Sequence, residues 1–271
     1  MALKILKIIF VLIAGLYILI LVLAFTFQDK FIFFPQKLDK DYRYNLSDND
    51  KEVFIPTSDG NLINGILYHR PDNQYVVLYF HGNGGSLDSW QMISEEILPQ
   101  NCDLLVIDYR GYGKSTGSFS EKGFYDDAHS AYSFLIKEGY NPGQIIAYGR
   151  SLGTGVATEL ATTEKVKALI LESPYTSFPA LAAEKMPYLL PGLFMRYKLN
   201  TLKRAGQLKV PVLILHGTDD ELIPCSNSQK IYAAITSPKK LLLIAGGGHN
   251  NLSRFPGHFE GIRNFISSLP K

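Results

Sequence analysis

The chain has 271 residues, with 27 Lys and Arg against 25 Asp and Glu, and a formal charge of +2 at pH 7. The excess lies in residues 1–27, which contain Lys4 and Lys7 and no acid, so the charges of residues 28–271 cancel. This balance excludes a nucleic-acid-binding protein, which needs a concentrated basic field. The two cysteines exclude a disulfide-built scaffold and a multi-cysteine metal site.

An uncharged apolar run of 20 residues, 8–27, follows the two lysines. As a helix it spans about 30 Å, the hydrocarbon thickness of a bilayer. It is longer than the apolar core of about 7–15 residues in a signal peptide, and Ala24 and Thr26 make a poor cleavage site. We therefore predict an uncleaved single-pass signal anchor over residues 1–28, with a cleaved signal peptide as the alternative.

The charges around this run predict its orientation. The N-terminal flank is purely basic, whereas the C-terminal flank mixes acids and bases. The positive-inside rule then places the N-terminus in the cytoplasm and the rest of the chain on the extracytoplasmic side. Residues 29–52 contain a proline, several charges and two tyrosines, and they are predicted to form a connecting arm.

From residue 53 onward, short apolar runs alternate with helical patterns, and this predicts a domain over 53–271. Continuous apolar runs are typical of strands buried on both faces of a sheet. The predicted strands cover 52–56, 62–69, 75–80, 104–108, 144–149, 168–172, 210–216 and 240–245. The predicted helices cover 87–98, 122–137, 152–163, 227–234 and 255–269. The alternation predicts an α/β fold, a mostly parallel eight-stranded sheet with helices on both faces, opened by an antiparallel hairpin.

Residues 174–207 interrupt the alternation with four prolines and an apolar stretch. They are either a cap or lid over the carboxyl ends of the strands, where open α/β sheets bind ligands, or a helix that simply covers the sheet. Under the first interpretation the substrate contacts are Tyr175, Met186, Leu190 and Phe194.

A candidate nucleophile, Ser151, stands in Gly149-Arg150-Ser151-Leu152-Gly153, between a predicted strand and a predicted helix. A serine on such a turn projects its hydroxyl from the edge of the sheet, and the helix N-terminus behind it favours developing negative charge. The alternative is a purely structural role, in which the serine caps the helix in a glycine-rich turn. Serine is a weak nucleophile unless a base, held by a third group, takes its proton.

Two later loops carry residues suited to that task, and both follow predicted strands. His249 comes after three glycines, and the acids Asp219, Asp220 and Glu221 follow the preceding strand. Spacing alone does not choose among these acids. An oxyanion hole also needs two amides, for which Leu152 and the glycine-rich loop at Asn83 are suitably placed.

The motifs in order resemble those of α/β hydrolases over about residues 53–269. The matching motifs are Phe80-His81-Gly82-Asn83-Gly84-Gly85, Asp108-Tyr109-Arg110-Gly111-Tyr112-Gly113-Lys114-Ser115, Gly149-Arg150-Ser151-Leu152-Gly153, Glu172-Ser173-Pro174-Tyr175-Thr176-Ser177, His216-Gly217-Thr218-Asp219-Asp220 and Gly248-His249-Asn250. The similarity is to the small membrane-anchored serine hydrolases, with acyl-protein thioesterase-like and dienelactone-hydrolase-like members. It implies the α/β-hydrolase fold and assigns the acid to the last position of H-G-x-x-D, which is Asp220.

The prediction is a membrane-anchored serine hydrolase, with Ser151, His249 and Asp220 as catalytic triad and Asn83 and Leu152 in the oxyanion hole. Its partners would be the membrane and an ester or thioester substrate, such as an acyl lipid or a lipidated protein, with no cofactor, metal or nucleic acid. The alternatives are an aminopeptidase-like or small-ester hydrolase, and a non-catalytic anchored binding protein with the same fold. Cys102 and Cys225 are predicted at opposite ends of the sheet, too far apart for a disulfide.

Overall fold

The computed structural model describes residues 1–270, and eight of its segments form one sheet. In chain order the strands are β1 (Asp50–Pro56), β2 (Leu62–Tyr68), β3 (Tyr75–Phe80), β4 (Cys102–Ile107), β5 (Ile145–Arg150), β6 (Ala168–Glu172), β7 (Val212–Gly217) and β8 (Lys239–Ile244). Their order across the sheet is β1-β2-β4-β3-β5-β6-β7-β8. Strand β2 is antiparallel to both of its neighbours, and every other pairing from β4 to β8 is parallel. The predicted sheet is confirmed.

The helices lie mainly between the strands. They are α1 (Ala2–Thr26), α2 (Gln28–Ile32), α3 (Leu87–Trp90), α4 (Ser94–Ile97), α5 (Glu121–Lys137), α6 (Leu152–Thr163), α7 (Phe178–Lys185), α8 (Pro191–Phe194), α9 (Thr201–Ala205), α10 (Ser226–Ala234) and α11 (Pro256–Ser267). Short 3-10 turns cover Gln91–Ile93, Leu98–Gln100, Pro142–Gln144, Pro187–Leu189 and Leu252–Arg254. The helix predicted over 87–98 is therefore α3 and α4 with tighter turns after each, whereas α6 has the predicted bounds.

The central strands are buried on both faces, which is why their sequences are continuously apolar. Successive side chains alternate between two cores: Leu78 of β3 faces one of them, and Tyr79 faces the other. Helices α5, α6 and α10 cover the first face, and α4 and α11 cover the second. The helices thus leave the carboxyl ends of the parallel strands as the edge where loops converge.

The predicted connecting arm, residues 29–52, lies against the sheet domain. It includes most of α2 and the start of β1, and it forms isolated parallel bridges from Pro35 to Gly85 and from Lys37 to Gly113. The Phe34 carbonyl accepts a hydrogen bond from the Gly85 amide at 3.1 Å. Local sequence carries no signal for such pairing, because each bridge joins residues about fifty or more positions apart.

Residues 174–207, called here the cap segment, contain α7, α8 and α9 between β6 and β7. Lys185 at the end of α7 donates to the carbonyl of Glu221, in the loop after β7. The Tyr17 hydroxyl of α1 donates to the carbonyl of Tyr188 at 2.7 Å. The cap segment therefore touches both a strand-end loop and the N-terminal helix.

Helix α1 is 25 residues long with a mean hydropathy of 3.2 in its most apolar window, and none of that window is buried. By length and composition it is sufficient to cross a membrane. A signal sequence near the N-terminus meets the same criterion.

Candidate active site

Ser151 occupies a sharp turn between β5 and α6. Its φ of 50° and ψ of −115° are strained for a residue with a side chain. The two flanking glycines make the turn possible, because a Cβ on Gly149 would meet the backbone of Gly153, and one on Gly153 would meet the carbonyl of Phe80. The turn aims the hydroxyl away from the sheet and places the N-terminus of α6 directly behind it.

The structure brings Ser151, His249 and Asp220 together from three separate loops. The Ser151 hydroxyl lies 3.0 Å from Nε2 of His249, and Nδ1 of His249 lies 2.8 Å from Oδ2 of Asp220. All three are less than 10% exposed. Because the carboxylate can only accept, His249 donates from Nδ1, and its free Nε2 accepts from the serine hydroxyl. This chain of bonds is the geometry that transfers a proton from serine to imidazole.

Asp220 is held as a carboxylate by several donors. Oδ1 accepts from the amides of Leu222 and Ile223 at 2.9 and 2.7 Å, and Oδ2 lies 3.2 Å from Nε2 of His216. Burial opposes ionisation, but the hydrogen bonds from His216, His249 and the Ile223 amide outweigh it and hold the pKa of Asp220 well below its ordinary value. The acid is therefore charged throughout the neutral range.

His216, at the end of β7, bonds to both the Asp220 loop and α10. Its Nε2 is 2.8 Å from the Ile223 carbonyl, which only accepts, so Nε2 carries the proton. Its Nδ1 is 2.6 Å from the hydroxyl of Ser228 in α10. This fully buried ring fixes the loop that carries Asp220 to the helix behind it.

The loops of Asp220 and His249 are also bonded to each other. The amide of Asp219 donates to the Gly247 carbonyl at 2.9 Å, and the amide of Gly246 donates to Thr218 at 2.9 Å. Gly217 and Gly247 approach so closely that a Cβ on Gly217 would meet the Gly247 backbone. The glycines before His249 therefore allow a close contact between the ends of β7 and β8.

Gly82, which precedes Asn83 in the loop after β3, lies against Ser151, because a Cβ on Gly82 would be 3.5 Å from the Ser151 Cβ, and Leu152 follows Ser151 in the first turn of α6. Within residues 1–270, neither the Asn83 nor the Leu152 backbone amide has a hydrogen-bond acceptor. The Asn83 side chain is held by hydrogen bonds. Its Oδ1 accepts from the Tyr112 hydroxyl at 2.9 Å, and its Nδ2 donates to the carbonyl of Ile32. Backbone amides without an acceptor, in loops next to a serine, are suitable donors for a negatively charged oxygen.

Next to Ser151, Arg150 and Glu172 form a charge cluster that the sequence did not predict. Arg150 lies 3.2 Å from Glu172, at the end of β6, and donates to the carbonyl of His249 at 3.2 Å and to Asn250 at 3.3 Å. Burial raises the pKa of Glu172, but the charges of Arg150 and His258 outweigh it and lower the pKa to about 2. Arg150 therefore connects the strand of the serine to the loop of the histidine. The sequence signal available for Arg150 was its position beside Ser151, which does not indicate its partners.

The predicted substrate contacts fall into two groups. Tyr175 is fully buried, and its hydroxyl donates to the Leu152 carbonyl at 3.0 Å, so it supports the first turn of α6 and presents no surface to a ligand. Met186, Leu190 and Phe194 lie on the cap segment and are each about 40% exposed. The two cysteines are free, Cys102 at the start of β4 and Cys225 before α10.

Comparison with known proteins agrees with the topology. A family model for the α/β-hydrolase fold matches residues 75–204, and a model for serine aminopeptidases of the S33 group matches residues 192–253. An uncharacterized protein of Mycobacterium tuberculosis is 28% identical over 245 residues, which cover 89% of this chain and 87% of that protein.

Solved structures with this architecture include an esterase and a protein with ferulic acid bound. Pyrococcus furiosus esterase Pf2001 superposes with a TM-score of 0.71 at 20% identity, covering 88% of this chain and 98% of its own. Est1E of Butyrivibrio proteoclasticus, solved with ferulic acid bound, superposes with a TM-score of 0.63 at 21% identity, covering 79% and 96%. With the eight-stranded sheet, these findings show that the chain has the α/β-hydrolase fold and is similar to proteins of that superfamily.

Proposed function

We propose that this protein is a serine hydrolase that cleaves carboxylic ester or thioester bonds and is anchored in a membrane by α1. The observation that carries the proposal is the continuous hydrogen-bonded chain from Ser151 through His249 to Asp220. The esterases among its structural neighbours support ester hydrolysis in particular.

The proposed reaction is acyl transfer in two steps. Ser151 Oγ attacks the substrate carbonyl while Nε2 of His249 takes the hydroxyl proton. The amides of Leu152 and Asn83 bind the oxyanion of the tetrahedral intermediate, and its collapse breaks the bond to the leaving group, which receives the proton from His249. Water, activated by the same histidine, then attacks the acyl-serine, releases the acid and restores Ser151. Asp220 keeps the imidazole oriented and stabilises its cation.

The deciding experiment measures hydrolysis of p-nitrophenyl acetate and p-nitrophenyl octanoate by the full chain in detergent. We expect turnover of both, and we expect Ser151→Ala to remove turnover and labelling by a fluorophosphonate together. Labelling that persists unchanged in Ser151→Ala would reject the assignment of the nucleophile. An inactive, unlabelled parent would favour the non-catalytic binding protein.

A second candidate is an aminopeptidase-like hydrolase, which the match of residues 192–253 to the serine aminopeptidase model supports. The same triad chemistry serves amides, so the discriminating measurement is the ratio of rates on an amino-acid p-nitroanilide and on p-nitrophenyl octanoate. A higher kcat/KM on the anilide would select the aminopeptidase. We expect the ester to be the better substrate.

The proposed location is a single-pass membrane protein with the N-terminus in the cytoplasm and the hydrolase domain on the extracytoplasmic side. Helix α1 supplies the required length, and Lys4 and Lys7 supply the basic flank. A substrate that is itself amphipathic, an acyl lipid or a lipidated protein, fits an active site beside a bilayer.

A further inference from the structure

Exposed large apolar side chains outside α1 are concentrated in two segments, residues 27–34 and residues 186–194. Leu193, Phe31 and Tyr188 are 76%, 69% and 61% exposed, values that an isolated soluble domain rarely combines in adjoining segments. We call the following residues the apolar patch: Phe31, Phe34, Tyr188, Leu190, Leu193 and Phe194.

The two segments meet at the base of α1. The Asp29 carboxylate accepts from Arg196 at 2.8 Å and from the Tyr197 hydroxyl at 2.7 Å, and Gln28 accepts from the Arg196 amide at 2.8 Å. These bonds fix the cap segment, directly after its apolar run, to the first residues after α1. The apolar patch is therefore continuous with the N-terminal helix and cannot swing freely away from it.

The position of Tyr17 along α1 indicates how deep the apolar patch would lie in a bilayer that α1 spans. Its hydroxyl donates to the carbonyl of Tyr188, and Tyr17 precedes the last residue of α1, Thr26, by nine positions. At about 1.5 Å per residue, this contact lies about 13.5 Å from the end of the helix, close to half of a hydrocarbon layer of about 30 Å. A bilayer that covers α1 to its end also covers Tyr188 and its exposed neighbours.

The charges of the cap segment agree with this placement. Residues 174–207 contain five Lys and Arg and one acid, Glu184, and residues 186–195 are ten consecutive uncharged residues. A basic border around an apolar surface is the composition that inserts into the headgroup region of anionic lipid. Arg196 directly follows the apolar run, and Lys198 is two positions further along the chain.

The geometry points to a cap segment embedded in the same leaflet that α1 crosses, so that the occupant of the apolar patch is lipid and acyl chains reach the active site from the bilayer. Both segments that carry the patch contact loops of the candidate active site. Residues 32–36 are bonded to the loop of Asn83, and Lys185 is bonded to Glu221, which neighbours Asp220. This inference rests on the proposed function for its substrate, an acyl ester dissolved in the membrane, and on α1 as a membrane span for its depth.

The first test measures insertion without reference to activity. A fluorophore sensitive to polarity is attached to Leu193→Cys in the full chain carrying Cys225→Ser, since Cys102 is buried. The protein is reconstituted in phosphatidylcholine and phosphatidylglycerol vesicles whose acyl chains carry a nitroxide. The control label is Ile136→Cys, an exposed apolar position near the end of α5, at the opposite end of the sheet.

We expect the nitroxide to quench the label at position 193 at least twice as strongly as the label at position 136. Equal, weak quenching at both positions overturns the insertion. A label at 193 that is shielded from water but not quenched by lipid also overturns it, because the patch then contacts protein.

The second test separates delivery from chemistry. Tyr188→Ser with Leu193→Ser should lower hydrolysis of a palmitoyl ester dissolved in those vesicles about tenfold and leave hydrolysis of soluble p-nitrophenyl acetate unchanged. An equal effect on both substrates, or on neither, overturns delivery through the patch. If the parent protein hydrolyses neither ester, the proposed function fails, and the quenching result still decides the insertion.

Discussion

At the scale of single residues, Asp219 and Asp220 differ in what they contact although they are adjacent. Asp220 is buried and bonded to His249 at 2.8 Å, whereas Asp219 is exposed and accepts from Thr218. Sequence spacing left this choice open, and only the resemblance to α/β hydrolases selected Asp220. The contrast provides a matched pair of variants.

We expect Asp220→Asn to lower kcat/KM for p-nitrophenyl octanoate about 10³–10⁴-fold, because an amide does not hold the imidazole in the required tautomer. Asp219→Asn keeps the same change of charge at the neighbouring position and should stay within about twofold of the parent, as surface substitutions usually do. The opposite ranking of the two variants would show that Asp219 orients the histidine. Steady-state kinetics on the full chain in detergent give both values.

The contacts of Arg150 could not be predicted from the motif that contains it. The variable position of G-x-S-x-G predicted nothing about it, yet the structure gives Arg150 a buried partner, Glu172, and a hydrogen bond to the carbonyl of His249. Its partners are 22 and 99 positions away, so no local pattern reports them. The resulting ion pair is exposed by 20% on Arg150 and 4% on Glu172.

Removing Arg150 leaves the buried Glu172 carboxylate without its main compensating charge. We expect Arg150→Met to lower the free energy of unfolding by about 3 kcal/mol, the lower end of what breaking a buried pair costs. Adding Glu172→Gln should recover part of the loss, because the remaining charge is then removed as well. Urea unfolding of the full chain in detergent measures the cycle. A double variant as unstable as the sum of the single ones would mean that the two groups do not interact.

At the scale of elements, the strands could be predicted because continuous apolar runs of this length are typical of strands buried on both faces of a parallel sheet. The predicted bounds of β3 and β6 match the structure, and those of the other strands differ by one or two residues. The arm could not be predicted in the same way. Its pairing with Gly85 and Gly113 is a long-range backbone contact, to which its polar, proline-containing sequence gives no guide.

The arm has a consequence for catalysis because it fixes the loop of Asn83. The Asn83 side chain donates to the carbonyl of Ile32, accepts from the amide of Phe34, and accepts from Tyr112. Without these bonds the loop keeps its backbone amide but loses the contacts that fix its direction. The loop of Asn83, the proposed oxyanion donor, is therefore held by Ile32 and Phe34, which belong to the predicted connecting arm.

We expect Asn83→Ala to lower kcat about 10–100-fold with KM changed less than about twofold, since the amide stabilises the transition state more than the bound ester. Tyr112→Phe removes only one of the three contacts and should cost less. Kinetics with p-nitrophenyl octanoate distinguish the two effects. A kcat of Asn83→Ala equal to that of the parent would exclude the arm from positioning the loop.

At the scale of the whole molecule, the net positive charge lies in the N-terminal segment, and the sheet domain is neutral. The sheet domain and its arm have equal numbers of acids and bases, so the net charge of +2 belongs to the segment that begins with α1. The domain presents its catalytic loops on the side of the cap segment, which touches α1 through Tyr188. Under the proposed anchoring, the orientation of α1 decides on which side of the membrane the sheet domain lies.

Lys4 and Lys7 are the bases that we expect to set that orientation, because acids contribute little to the positive-inside rule and short basic flanks contribute most. In the parent protein, added protease should digest a tag at residue 271 only from the extracytoplasmic side. Lys4→Gln with Lys7→Gln should give a mixture of orientations, whereas Lys30→Gln, on the other flank, should leave the parent orientation unchanged. Accessibility of the parent tag from the cytoplasmic side alone would reverse the proposed location, and the active-site chemistry would stand unaffected.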